Sequence, residues 1–376
     1  MVIVMKIIRW PAALVILLSI AATHVTAQTA SYALFVTRDH NDMFYRHMIG
    51  FAQQAANDLN VKLDTYYAGG SHHQMIHQVE TALKAYNQPC GFMFVNFKGI
   101  DKQIIELAEK YEVPVLVFNA ETTPRYALGK PRDQYRYWIG SLLPDDEGAG
   151  YQLMNVLADG GQQLSITAFA GEYESGSSAA RVLGLERALS ERPQWRLNQL
   201  VHAFWDQHDA HKKAISLLKR YPATDVFWSA SDGMALGAFE ACEQLLGSCS
   251  VRAGGVDWTE EALEAIGDGK LVASMGGHFM EAAWALVMLY DYTNGHDFVE
   301  QGVELTSTMH VISRDNLDSA WLALNPNSWK RINFKSYSRA YNNDIGHYDF
   351  SVESVLQRIQ QHFSPFDKLN RKSVQP

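Results

Sequence analysis

The sequence predicts an α/β protein with two doubly wound lobes, each built on a parallel sheet, and three observations support this prediction. Short apolar runs alternate with amphipathic segments from Tyr32 onward. The apolar runs are nearly continuous, which is typical of parallel strands that are covered on both faces. The runs form two series of similar length, so we expect two lobes of like architecture.

The predicted strands follow one another along the chain in these two series. The first series comprises Tyr32–Thr37, Val61–Tyr66, Gly91–Asn96, Pro114–Asn119 and Trp138–Gly140. The second series comprises Leu164–Phe169, Leu197–His202, Asp225–Ser229, Val251–Val256 and Leu271–Met275. Helices are predicted between them near residues 43–59, 73–86, 101–111, 145–158, 178–190, 209–220, 233–246 and 278–293.

The first predicted helix shows the helical period most clearly. Its apolar residues recur on one face at Phe44, Met48, Phe51, Ala52, Ala55 and Leu59. The pattern changes after about residue 310, where the chain becomes rich in Asn, Ser, Tyr, Arg and Lys. Only the last third of this C-terminal extension (residues 315–376) predicts a regular helix, with Ser351 as its N-cap and Glu353 in its first turn.

The N-terminus has the pattern of a secretory signal peptide. Lys6 and Arg9 precede the apolar run Ala12–Ala22, and Val25-Thr-Ala27 is a small-x-small cleavage site. The alternative is an uncleaved anchor helix, but the apolar core is nearer a dozen residues than the ~20 that span a bilayer. We therefore expect residues 1–27 to be removed before Gln28 and the mature protein to be soluble in the periplasm.

The net charge bears on the possible partners of the protein, and the cysteine content bears on its disulfide bonding. Without residues 1–27 the formal net charge moves from −9 to −11, which disfavours binding to nucleic acid. An oxidising compartment permits a disulfide between Cys242 and Cys249, and the alternative is that all cysteines are free thiols. Cys90 opens an apolar strand, so we expect it to be a core residue.

The junction Val226–Phe239 is the most informative stretch, because an apolar strand ends in polar residues and continues as a small-residue helix. Open α/β sheets bind small polar ligands at such junctions. The run Ser231–Ala238 resembles the type I periplasmic solute-binding proteins, the ribose- and galactose-binding group. The resemblance covers roughly residues 31–312.

This resemblance implies a three-strand hinge, with crossings near residues 139–142, 275–278 and 301–303. The implied N-terminal lobe comprises residues 28–140 plus 277–302. The implied C-terminal lobe comprises residues 141–276 plus 303–314. Closure of the two lobes would bury a ligand and create a surface that a membrane partner distinguishes.

Five side chains of the first lobe follow strands where the resemblance implies ligand contacts: Asp42, Phe44, Tyr45, Asn96 and Asn119. Aromatic rings stack on the apolar faces of sugars, and amides bind hydroxyls. The alternatives are that Phe44 and Tyr45 only begin a helix and that Asn96 caps a turn. Related sugar binders often carry an acidic residue followed by Arg where this chain has Asn119-Ala120, which puts a simple pentose ligand in doubt.

Six side chains of the second lobe and the hinge complete the expected site: Arg181, Trp205, Ser231, Asp232, Asp257 and His278. Arg181 begins the predicted helix after Ser177, and its five donors can hold two acceptor oxygens. The alternatives are a surface salt bridge for Arg181, ordinary packing for Trp205 and helix capping for Asp257. Related proteins often have Gln at Gly277, so either the missing side chain leaves space for a larger ligand or His278 replaces it.

Other chemistry has weaker support in the sequence. His72, His73 and His77 lack a third ligand at a diagnostic spacing for a metal. The sequence contains no phosphate-binding loop and no nucleophile elbow. We therefore expect no cofactor, no metal and no enzymatic activity; a secreted glycosidase using Asp232 and Asp257 is a remote alternative.

The expected function is reversible capture of a small polar ligand, a sugar or sugar-like molecule, by a monomeric receptor that delivers it to an ABC permease. The alternative is an accessory receptor for a membrane sensor kinase or cyclase, with the aromatic residues of the extension as a docking surface or packed back across the hinge. Arg181→Ala is expected to abolish the ligand response and to leave the ligand-free protein folded.

Overall fold

The computed structural model describes residues 29–120 and 128–361, which form two α/β lobes with one six-stranded sheet each. The predicted signal peptide and residues 362–376 lie outside the described residues. Within the described ranges, no helix is long and apolar enough to cross a membrane. Strands and helices are numbered below in chain order.

The first sheet consists of six parallel strands in the order β11-β5-β4-β3-β1-β2. These strands are β1 (Ser31–Val36), β2 (Lys62–Tyr67), β3 (Gly91–Val95), β4 (Val115–Phe118), β5 (Trp138–Pro144) and β11 (Glu304–Ser307). The helices of this lobe are α1 (Met43–Leu59), α2 (His72–Lys84), α3 (Asp101–Tyr111) and α9 (Glu281–Thr293).

The second sheet has the order β12-β10-β9-β8-β6-β7, and only the pairing of β12 with β10 is antiparallel. Its strands are β6 (Leu164–Ala170), β7 (Trp195–His202), β8 (Val226–Ser229), β9 (Arg252–Val256), β10 (Ala273–Gly276) and β12 (His310–Ile312). The helices of this lobe are α4 (Asp146–Ala158), α5 (Gly176–Ser190), α6 (Gln207–Arg220), α7 (Asp232–Leu246) and α8 (Glu260–Gly267).

Both faces of the first sheet are covered, as the continuous apolar runs predict. On one face, Phe35 and Phe92 pack with residues of α2 and α3 such as Ile104. On the other face, Leu34 and Met93 belong to the core that includes α1 and α9. Alternate residues of one strand thus supply two cores, and the predicted fold class is confirmed.

The chain crosses between lobes later than the sequence predicts in two places. β5 continues to Pro144, so the first crossing follows that residue rather than lying near 139–142. The third crossing lies between Ser307 and His310 rather than near 301–303, because β11 still pairs with β5 in the first sheet. The polar run Glu304–Ser307 is an edge strand, which lacks the apolar pattern of a buried one.

The C-terminal extension is more ordered than predicted. It contains the helices α10 (Leu317–Leu324) and α11 (Pro326–Trp329), which the sequence pattern does not indicate, before α12 (Val352–Gln361). Helix α8 is also absent from the predicted order. The predicted cap of the last helix is present, since the Ser354 amide donates to Ser351 Oγ at 3.1 Å. We refer to residues 315–361 as the C-terminal strap.

The C-terminal strap contacts both lobes. Helix α10 lies against α8 of the second lobe. The strap then crosses to the first lobe, where Trp329 packs edge to face on Phe51 of α1 and Phe350 stacks on Trp284 of α9. Of the five rings for which the sequence leaves open a docking surface or packing across the hinge, Trp329, Phe334, Tyr337 and Tyr348 are buried and Tyr341 is exposed. The structure therefore favours the packing alternative over the docking surface.

The cysteines divide into one disulfide and one thiol. Cys242 and Cys249 are bonded across the turn that ends α7, with their Cα atoms 5.4 Å apart. Cys90 is free and exposed, so the expectation of a core residue is wrong. The residue precedes β3 rather than lying within it, and its amide donates to the Ser31 carbonyl while its side chain faces out.

Candidate functional site

A cavity of about 430 Å³ lies between the two lobes. Its lining residues follow the carboxyl ends of strands in both sheets, the edge at which open α/β sheets bind ligands. Nine of the eleven predicted site residues line it: Asp42, Phe44, Tyr45, Asn96, Arg181, Trp205, Ser231, Asp257 and His278. Asn119 and Asp232 are not among the lining residues.

The start of α1 forms the first-lobe wall. Asp42 is the N-cap of this helix and accepts a hydrogen bond from the Tyr45 amide at 3.2 Å. Burial raises the pKa of the Asp42 carboxyl. The Tyr45 hydroxyl is held by Thr37 at 2.8 Å, and its ring lies edge to face with Phe44. Helix capping and cavity lining therefore occur together at this turn rather than as alternatives.

Arg181 organises the second-lobe side of the cavity. Its Nε donates to Asp146 at 2.7 Å, and its Nη1 donates to the Ala230 carbonyl at 2.7 Å and approaches Asp257 at 3.5 Å. The guanidinium carbon lies 5.7 Å from the ring centroid of Trp205, within cation–π range. The alternative of a surface salt bridge is wrong, because Arg181 is only 4% exposed.

Two backbone features allow the Trp205 ring to line the cavity. Its backbone is left-handed, with φ of 64°, which is rare for a bulky residue. A Cβ at Gly171 would lie 2.1 Å from the indole ring, so only glycine permits this close approach. The ring therefore packs across the end of β6 and lines the cavity opposite the first lobe.

His278 lies where the hinge meets the cavity. Its ring lies 4.6 Å from that of Phe44, measured between centroids, and Arg181 Nη2 approaches its Nε2 at 3.4 Å. Burial and the neighbouring guanidinium lower the pKa of His278 to about 3, so the imidazole is neutral. Its Nε2 lies 3.4 Å from Arg181 Nη2 and 3.5 Å from Asp257 Oδ1, so it can accept from the guanidinium or donate to the carboxyl.

Gly277 does not open space for a ligand. Its φ is 101°, and an added Cβ would lie 2.8 Å from Val352 of the C-terminal strap. The alternative in which His278 takes the place of a missing side chain agrees with its position in the cavity lining.

Asp257 and Asp232 lie at different depths relative to the cavity. Asp257 lines the cavity, with left-handed backbone at φ 131°, and its carboxyl faces Arg181 and His278. Asp232 is fully buried behind it and accepts from Ser274 Oγ and the Thr259 amide. Burial and mutual repulsion raise the pKa of Asp232. Its expected ligand contact is wrong, because its carboxyl is used to join α7 to the start of α8.

Asn119 also has a structural role rather than the expected ligand contact. Its side-chain amide donates to Glu281 Oε2 at 3.0 Å, and the Ser307 hydroxyl donates to the other oxygen of that carboxyl. The group therefore joins β4, α9 and the end of β11 just before the third crossing. Ala120, the next residue, lines the cavity instead.

Glu281 should make stability fall with rising pH. Burial raises its pKa from 4.5 to about 8, so the folded state holds a proton that the unfolded state releases. The contribution of Glu281 to the free energy of unfolding is fully present below pH 4.5. It is lost as the pH rises toward 8, and the free energy of unfolding falls by up to about 1.4 kcal/mol per pH unit. Glu281→Gln should flatten this slope in urea unfolding between pH 5 and pH 8. Glu264→Gln, an exposed control, should not; an unchanged slope in Glu281→Gln would contradict the prediction.

Several charged residues that line the cavity are not among the predicted site residues. Arg38 and Lys98 line the cavity on the first-lobe side, and Glu172, Glu174 and Glu261 line it on the second. Arg38 Nη2 lies 3.4 Å from Glu172 across the mouth of the cleft. These residues follow strand ends, the signal that found the others, but ordinary surface loops carry the same residue types.

The side chains that line the cavity can bind a small polar ligand. Asp232 is not in the cavity, so Asp232 and Asp257 do not flank a common substrate position as a glycosidase pair would. In the part of the chain that the structure describes, no group of three His, Cys, Asp or Glu side chains could hold a metal ion. The site consists of rings, an amide and paired charges.

Comparisons with known proteins agree with this geometry. A periplasmic sugar-binding protein from Pseudomonas fluorescens is 30% identical, with a TM-score of 0.78 over 87% of this chain and 99% of that one. The 87% of this chain that is aligned contains more residues than the segment 1–314. The similarity therefore extends into the C-terminal strap.

More distant solved structures share the fold. An ABC transporter solute-binding protein from Actinobacillus succinogenes with bound D-allose is 18% identical, with a TM-score of 0.68 over 77% of this chain and 99% of that one. A solute-binding protein from Bacillus halodurans with bound myo-inositol is 17% identical, with a TM-score of 0.67 over 77% and 96%. No curated protein matches the chain. A family model described as a periplasmic binding protein domain matches residues 32–297, and the chain therefore belongs to the periplasmic binding protein family.

Proposed function

We propose that this protein captures a neutral sugar or sugar-like molecule in the cavity between its lobes and delivers it to an ABC transporter. One observation carries the proposal: Phe44 and Trp205, from opposite lobes, line one cavity together with the polar side chains of Asn96, Arg181 and Asp257. Rings on two sides can stack on the apolar faces of a sugar, while the polar groups bind its hydroxyls.

The charges of the cavity favour a ligand without negative charge. The lining contains the acidic residues Asp42, Glu172, Glu174, Asp257 and Glu261 against the basic residues Arg38, Lys98 and Arg181. Arg181 is already held by Asp146 and Asp257, and Arg38 faces Glu172. Two of the three basic groups in the lining are therefore already paired with carboxyls, which disfavours sugar acids and sugar phosphates.

Contacts between the lobes support a receptor that works by closure. Arg38 and Glu172 meet at the mouth of the cleft, and His47 Nε2 of α1 lies 3.3 Å from Glu260 of α8. A ligand that contacts both walls would favour this closed arrangement. In this proposal the protein is a monomer that is released in the periplasm after removal of residues 1–27. A transporter could then distinguish its closed, loaded form from its open form.

The alternatives have lost their supporting observations. The sensory hypothesis relied on exposed rings in the extension, and four of those five rings are buried. The glycosidase hypothesis relied on Asp232, which does not line the cavity. Docking on a sensor kinase or cyclase remains the second candidate function, but the features on which it relied no longer support it.

A thermal-shift panel tests the proposal on the mature protein. The panel contains neutral aldoses and polyols, their uronic acids and their phosphates, each at matched concentration. We expect a neutral compound to raise the unfolding temperature, since binding at 100 Kd adds about 2.7 kcal/mol of stability. The corresponding acid and phosphate should give no shift. A shift only with charged sugars, or with no sugar at all, would overturn the proposal.

A further inference from the structure

A cluster of rings on the second lobe lies beside the mouth of the cavity. It consists of Tyr173, which is 68% exposed, Phe204, which is 44% exposed, and His202, and the Tyr173 ring contacts the other two. The Tyr173 ring lies 3.7 Å from that of His202 and 5.8 Å from that of Phe204, measured between centroids. We call these three residues the rim cluster. Large aromatic residues are usually buried, so a group of exposed ones requires a reason.

The rim cluster is continuous with the cavity. Tyr173 is flanked in the chain by Glu172 and Glu174, both of which line the cavity, and Phe204 precedes Trp205, which also lines it. Neighbouring Cα atoms are only ~3.8 Å apart. Tyr173 and Phe204 are thus each one residue away in the chain from the cavity lining, within the reach of a ligand that extends past Glu172, Glu174 and Trp205.

The rings of the rim cluster are held in place before any ligand arrives. His202 Nδ1 donates to the Gly171 carbonyl at 2.7 Å, which fixes the ring on which Tyr173 lies. Lys213 Nζ sits 4.8 Å from the Phe204 centroid and is itself bonded to Asp209 at 2.6 Å. Rings that are fixed in advance lose little entropy when a ligand stacks on them.

The backbone under the rim cluster is also unusual. Phe204 and Trp205 are consecutive bulky residues with left-handed φ values of 55° and 64°. Such conformations cost free energy and concentrate at sites that clamp ligands. This turn directs one ring into the cavity and leaves the other exposed at its edge.

We propose that the rim cluster is a second sugar subsite, so that the ligand is a neutral saccharide of at least two rings. The inner ring would lie in the cavity with Phe44 and Trp205, and the next ring would stack on Tyr173 and Phe204. Glu172 and Glu174 lie between the two positions and can accept hydrogen bonds from hydroxyls. The inference rests on the proposed sugar binding and extends it to the length of the ligand.

Calorimetric titration of the mature protein with matched sugars tests this proposal. The pairs are glucose with cellobiose and maltose, galactose with lactose and melibiose, and xylose with xylobiose. We expect at least one disaccharide to bind about tenfold more tightly than its monosaccharide, the gain expected from one or two aromatic contacts. The double variant Tyr173→Ala/Phe204→Ala should lose this gain and bind the monosaccharide like the parent.

Two further variants serve as matched controls. Tyr173→Phe keeps the ring and should keep the gain, and Tyr86→Ala removes a fully exposed tyrosine at the end of α2 and should change neither affinity. If the parent binds monosaccharides but gains nothing from a second ring, or if the double variant keeps the full gain, the subsite is overturned and the proposed function stands. If the parent binds no saccharide, both fall.

Discussion

Replacement of Arg181 by alanine is expected to abolish saccharide binding and to lower the free energy of unfolding by roughly 3–5 kcal/mol. The guanidinium is buried and binds Asp146, the Ala230 carbonyl and Asp257. Its loss leaves buried carboxyls without a partner and removes the positive charge next to Trp205. The sequence predicts that the ligand-free variant stays folded, and the buried ion pairs of Arg181 add the expectation that it is less stable than the parent. Urea unfolding and calorimetric titration measure the two effects.

Two companion variants separate binding from folding. Arg187→Ala, on the same helix, removes an exposed arginine that pairs with Glu147, and should cost less than about 1 kcal/mol without affecting binding. Arg181→Lys keeps the charge but not the planar fork, so it should stay folded and bind at least about tenfold more weakly. If Arg181→Ala binds sugar with the parent's affinity, Arg181 has no part in the site.

The position of the site could be predicted because parallel sheets bring the carboxyl ends of their strands to one edge. Asn96, Trp205 and Asp257 each follow such an end, and all three line the cavity. The expectation for Arg181 rests on the resemblance of the run from Ser177 to a helix start of the type I solute-binding proteins, and its helix begins after β6. The order of strands and helices thus predicts the edge at which the site lies, and the resemblance implies which residues along that edge contact the ligand.

The sequence could not show which polar residues at strand ends face the cavity. Asn119 and Asp232 have the same local pattern as Asn96 and Asp257, but both point into contacts within the protein. Asn119 faces Glu281, 162 residues away, and Asp232 faces Ser274, 42 residues away. A local pattern carries no information on partners so distant in the chain.

The C-terminal strap escaped prediction for a related reason. Its helices α10 and α11 have only 8 and 4 residues, which is too short for a periodic apolar face to be visible. Its order depends on single large rings: Trp329 packs on Phe51 of α1, and Phe334 packs on both Phe51 and Trp284 of α9. Only contacts in three dimensions identify these rings as core residues.

Detaching the C-terminal strap should be the most destabilising change outside the cavity, and Asp291 on α9 is the residue through which to test it. Its buried carboxyl accepts from the Arg339 and Ala340 amides at 2.7 and 3.1 Å and from the Tyr348 hydroxyl at 2.9 Å. Asp291→Ala leaves these buried donors unsatisfied, at about 1–3 kcal/mol each. We expect the variant to lose about 4 kcal/mol of unfolding free energy in urea and to exchange amide hydrogens faster throughout residues 329–350.

A matched control distinguishes the loss of these bonds from the loss of a charge. Asp318→Ala removes an exposed carboxylate from α10 of the same strap and should change stability by less than about 0.5 kcal/mol. Asp291→Asn keeps one acceptor oxygen and should fall between the parent and Asp291→Ala. If Asp291→Ala has the stability and the amide exchange of the parent, the prediction is contradicted. The packing of Trp329, Phe334 and Phe350 would then be sufficient to attach the strap to the first lobe.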